Sequence, residues 1–114
     1  MSNSIVIKQG DTLQLSGVYK QPNQSPMNLT GYTLEANILN SDGYVVLTIN
    51  SNSANPNRTL SIISAIDGTF QLLMKDTEVL TSEEDYWLDI KTISISGIEQ
   101  TSKAVKLKVK NRLV

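Results

Sequence analysis

The sequence predicts an all-β protein, a single antiparallel β-sandwich of about seven to nine short strands spanning residues 1–114. Three observations carry that expectation. Apolar and polar residues alternate with a period of two in one short run after another, compact turn residues separate the runs, and no stretch carries a helical period long enough for an α/β protein. With 39% hydrophobic residues the chain can bury one core, and neither a composition shift nor an internal repeat marks a second domain.

Each element follows from its own residues. Ile5 and Ile7 alternate with polar neighbours, and after Gly10-Asp11 the residues Leu13, Leu15 and Tyr19 share one parity. Residues 20–26 hold two prolines, two glutamines and an asparagine, which predicts an exposed loop. Leu34, Ala36 and Ile38 then face one way against Glu35 and Asn37. In the next run Val45, Leu47 and Ile49 share a face, and Asn40-Ser41-Asp42-Gly43 predicts a tight hairpin between the two, with Asp42 as turn former and Gly43 at positive φ.

Residues 51–57 form a polar loop with Pro56, followed by Leu60 and Ile62 in a strand, a turn at Ile66-Asp67-Gly68, and Phe70, Leu72 and Met74 in another. The acidic stretch 75–85 breaks the alternation, and Thr81 with Glu84 has the spacing to cap a short helical turn. Tyr86, Leu88 and Ile90 resume it. Ser96-Gly97 turns the chain, and Val105, Leu107 and Val109 close it with Lys106, Lys108 and Lys110 opposite. Antiparallel pairing is expected throughout, because a parallel sheet needs crossovers of about a dozen residues or more.

Composition excludes several functions. Without histidine or cysteine the chain has neither a Ser-His-Asp triad nor a His- or thiolate-ligated metal, which removes most enzymatic readings, and no cofactor is expected. A net charge of −1 gives no broad footprint for nucleic acid. Residues 1–5 lack the pattern of a secretory signal and no run has the length of a membrane span, so a soluble protein made in a cytoplasm is expected, with no membrane partner.

The remaining features each have a plain reading. Asp76, Glu78, Glu83, Glu84 and Asp85 lack the spacing of a calcium loop and are read as solvated surface charge rather than as metal ligands or a glycosidase pair. The three closing lysines are read as protection of an edge strand against unwanted pairing rather than as a nucleic-acid contact. Asn28-Leu-Thr30 and Asn57-Arg-Thr59 match the glycosylation pattern as any Asn- and Thr-rich chain does. Trp87 is the exception. Its parity points it outward beside Asp89 and Lys91, where it either packs under a loop or meets a partner, and it is the candidate partner-binding residue.

Four segments, in order, carry a family resemblance: Lys8-Gln9-Gly10-Asp11-Thr12, then Asn28-Leu29-Thr30-Gly31-Tyr32-Thr33-Leu34-Glu35-Ala36, then Tyr86-Trp87-Leu88-Asp89-Ile90, and last residues 104–109. Together they resemble the small module of tailed-phage and prophage structural proteins best known as the N-terminal domain of baseplate upper proteins. The resemblance implies an immunoglobulin-like sandwich with a structural or interaction role in tail, baseplate, neck or head. It also implies other virion proteins or a second copy as partners, a homo-oligomer, and residence in a virion assembled in the bacterial host cytoplasm. It transfers no binding residue. A carbohydrate-binding module recognising a host glycan is the alternative, with Trp87 as stacking platform, although the chain holds only one Trp, four Tyr and one Phe. A small hydrolase using the acids near Glu83 is the third reading.

Overall fold

A computed structural model of the chain describes residues 4–52 and 55–112. Nine strands and one 3-10 turn are found there: β1 (Ser4–Lys8), β2 (Leu13–Val18), β3 (Thr33–Leu39), β4 (Val45–Asn50), β5 (Arg58–Ser64), β6 (Thr69–Met74), the turn Thr77–Val79, β7 (Glu84–Ile93), β8 (Glu99–Thr101) and β9 (Val105–Lys110). The larger sheet runs β1-β9-β7-β3-β4, with β8 paired to β7 beyond the start of β9, and the smaller runs β2-β6-β5. Two sheets packed on one core make the expected all-β sandwich. The predicted loop 51–57 includes positions 53 and 54, and the segment 1–5 expected to carry no secretory signal includes positions 1–3; these lie outside the described residues.

The period-two residues fill the core. Leu34, Ala36, Ile38, Leu88, Leu107 and Val109 from the larger sheet meet Leu13, Leu60, Phe70, Leu72 and Met74 from the smaller, all of them buried. Turn chemistry connects the strands. In the β3–β4 hairpin the Asn40 carboxamide oxygen accepts the amides of Asp42 and Tyr44, both at 3.0 Å, and Gly43 takes φ +87. Asn40, rather than Asp42, is therefore the side chain that shapes this turn. Asn28 does similar work by accepting the Thr30 amide at 3.0 Å, and Leu29 beside it is fully buried. The Asn28-Leu-Thr30 pattern is thus a turn that seats a core residue.

The sequence and the structure part at four places. Pairing is not antiparallel throughout, because β1 pairs β9 in parallel. The crossover constraint does not forbid it: the two strands lie at opposite ends of the chain, and everything between them is the connection. Val45 does not share the inner face with Leu47 and Ile49, because the register shifts there and Val45 pairs with Leu39 while Leu47 pairs with Ile38. The extra residue, Val46, turns Val45 outward.

The short helical turn is not capped by Thr81 and Glu84. It lies upstream at Thr77–Val79, the Thr81 amide donates to the Tyr86 hydroxyl at 2.9 Å, and Glu84 opens β7. Finally, Lys106, Lys108 and Lys110 do not lie on an edge strand. β9 is flanked by β1 and β7, so the edge-protection reading fails and the edge belongs to β1.

A candidate binding face around Trp87

The outer face of the larger sheet is organised in rows that cross the strands, since residues directly opposite one another on adjacent strands share a face. One row runs Asn50–Glu35–Lys91–Thr101. There Lys91 pairs with Glu99 at 3.5 Å. The next row is Thr48–Asn37–Asp89, and it is hydrogen-bonded along its length: the Thr48 hydroxyl donates to the Asn37 carbonyl oxygen at 3.0 Å, and the Asn37 amide donates to Asp89 at 3.2 Å. Asn37 is thereby buried despite its outward parity. The second of these rows satisfies itself.

The row after it differs. Val45 lies opposite Leu39, Leu39 opposite Trp87, and Trp87 opposite Lys106. Three apolar side chains on three adjacent strands, with neighbouring strands about 4.8 Å apart, form a band closed at one end by a cation. Trp87 remains 38% exposed and Val45 53%, and the chain neighbours Val46 and Tyr44 are exposed as well, Tyr44 at 72%. The bulge at Val46 is what delivers Val45 to this row.

Lys106 fixes one side of Trp87. Its Nζ stands 5.9 Å from the ring centroid and 3.2 Å from a carboxylate oxygen of Asp85. A cation at that distance over an indole face contributes about 0.5–1 kcal/mol at exposed sites, and the ion pair with Asp85 holds it in place. The face can thus offer a partner an aromatic plate, two aliphatic side chains and a charged rim, the composition of an interface core with its border.

The predicted acidic residues are dispersed into separate tasks. Asp76 accepts the Arg58 Nε at 2.9 and 3.1 Å and pairs with its terminal nitrogen at 2.9 Å, Asp85 serves Lys106, and Glu83 accepts the Asn111 amide at 2.9 Å. Among the described residues no three acids gather where they could hold a metal ion. A hollow of about 690 Å³ opens near Tyr19, Phe70, Ile90 and Gln100. Tyr19 lines it, and its hydroxyl donates to the Gln100 carbonyl at 3.2 Å. Burial pushes this phenol above its ordinary value of 10.0, a hydrogen bond with Thr92 opposes the shift, and the charge of Asp89 adds to it.

Strand parity places Trp87 outward, and there it stands. Its companions Leu39 and Val45 carried no such signal, because they meet it only through the register of β3 with β4 and β7. No protein-family model matches the chain, and no curated protein matches it.

Proposed function

We propose that this domain is a non-enzymatic structural or interaction module of a bacteriophage or prophage particle, an immunoglobulin-like sandwich that binds other virion proteins or a second copy of itself through the face around Trp87. The observation that carries the reading is the Val45–Leu39–Trp87 row. It sets three apolar side chains side by side on three adjacent strands, next to a polar row, Thr48–Asn37–Asp89, that is hydrogen-bonded along its length. Single exposed apolar residues need no explanation, whereas a contiguous band rimmed by charge is the usual mark of a docking surface. The phage assignment rests on the order of the four sequence segments that resemble the baseplate module.

The test is incorporation into particles. Virions from a host carrying the gene are purified and probed for this chain, beside the variants Val45→Asp and Trp87→Ala. Both positions face solvent, so both variants are expected to fold, as circular dichroism will check, and to be depleted from particles. Particles that lack the wild-type chain, or that take up both variants undiminished, refute the reading. A glycan that binds the wild type on an array but not Trp87→Ala would replace it with the carbohydrate-binding alternative.

A further inference from the structure

We propose that the β1–β9 side of the larger sheet binds an extended acidic segment of a partner protein, which adds as a strand to the free edge of β1. The inference begins with the lysines that edge protection no longer explains. The parallel register sets Ser4 beside Lys106, Val6 beside Lys108 and Lys8 beside Lys110, all on the outer face. Lys106 is engaged by Asp85. Lys8, Lys108 and Lys110 make no ion pair among the described residues. Arg112 adds a fourth cation, its guanidinium lying 3.4 Å from where a side chain on Gly10 would begin.

Half of the chain's ten basic residues therefore gather on one flank of a protein whose net charge is −1. The carboxylates near them are Asp85, held by Lys106, Glu83, accepting the Asn111 amide, Glu84 at the start of β7, and Asp11. Asp11 lines a shallow hollow of about 780 Å³ with Val6, Ile7, Lys8, Thr12 and Lys110. Like charges directly opposite on paired strands are destabilising, and Lys8 against Lys110 is such a pair. A carboxylate laid between them relieves the repulsion.

The edge supplies the second half of the argument. Among the described residues β1 has a strand on one side only. The Gln9 amide donates to Lys110 O at 2.8 Å, so by strand alternation the odd-numbered residues turn their amides toward β9 and Ser4, Val6 and Lys8 turn theirs outward. The Lys8 carbonyl accepts the Asp11 amide, which leaves Val6 at the centre of the open stretch. A peptide strand can pair with these groups. Lysines at alternate positions of β9 recur about every 6.6 Å, the spacing of alternate side chains on any extended strand, and a strand added at β1 would lie next to Lys8 and one strand away from Lys108 and Lys110, within reach of long side chains. A second copy docking by this edge would bring the same lysines and be repelled, so an acidic partner is selected.

The test uses the full chain and a labelled short peptide with Glu at alternate positions between Thr and Val, followed by fluorescence anisotropy. Saturable binding is expected for this peptide and not for its Lys counterpart. The double variant Lys108→Glu, Lys110→Glu should weaken it about tenfold. The same peptide N-methylated at alternate residues keeps its charge but cannot pair as a strand, and it should lose binding. Trp87→Ala should leave binding intact, which separates this site from the one proposed above. The proposal is overturned if the acidic peptide does not bind, if charge reversal changes nothing, or if the N-methylated peptide or a single-stranded oligonucleotide binds as well, since the flank would then be an unselective polyanion surface.

Discussion

Replacing Thr77 by Val tests how the β1–β2 turn is held to the rest of the fold. Thr77 is fully buried, and its hydroxyl bridges two backbone groups of that turn, accepting the Gly10 amide at 3.0 Å and donating to the Asp11 carbonyl. Valine has nearly the same shape, so the packing survives while both hydrogen bonds go. Each stranded backbone group costs about 1 kcal/mol in a part-buried setting, giving a loss of about 2 kcal/mol. At roughly 4 °C per kcal/mol for a domain of this size, the Tm should fall by about 8 °C.

Urea unfolding should show a lower midpoint with an unchanged slope, and hydrogen exchange at the Gly10 amide should accelerate. The control is Thr77→Ser, which keeps the oxygen, loses one methyl and should cost about 0.8 kcal/mol. A Val variant as stable as the wild type, or more stable than the Ser variant, would show that the hydroxyl bridge does not hold the turn.

Three further outcomes follow from other positions. Gly68→Ala should destabilise by about 3 kcal/mol or more in chemical denaturation, because φ is +69 there and a Cβ would lie 2.5 Å from the Met27 carbonyl oxygen and 2.9 Å from that of Tyr19, both backbone atoms; a near-neutral variant would contradict this. Tyr19 makes stability pH-dependent in alkali: its phenol is raised on folding, so its contribution is complete below the unfolded value near 10 and is lost as pH rises through the folded value. Tyr19→Phe should remove that part of the slope in urea titrations run across alkaline pH, and an unchanged slope would refute the assignment. Asn40→Ala removes two acceptor contacts in the β3–β4 hairpin and should cost about 0.5–1 kcal/mol, with faster exchange at the Asp42 and Tyr44 amides.

How far the fold could be read from the sequence depended on the range of the interactions. Leu34, Ala36 and Ile38, or Phe70, Leu72 and Met74, declare their inward face by alternation alone, and burial agrees. The parallel pairing of β1 with β9 leaves no local trace, since it joins the chain's first strand to its last. Three-residue β8 was invisible for another reason: Glu99–Thr101 is polar throughout and gains its conformation from β7. The bulge at Val46 is equally silent, because Val45 and Val46 are both good strand formers and only pairing decides which is doubled. For the binding face, Trp87 was legible by parity and its neighbours were not. A row across strands has no counterpart along a chain.

The parallel docking of β1 on β9 also has a mechanical meaning. The chain leaves β1 beyond Ser4 at one end of the pair and leaves β9 beyond Lys110 at the other. Tension applied through those two exits pulls the strands past each other along their length, so the interstrand bonds are loaded together rather than unzipped one after another. A domain strung in line between two larger bodies would therefore resist stretching at this seam, and its yield point would be set by five residue pairs rather than by the core.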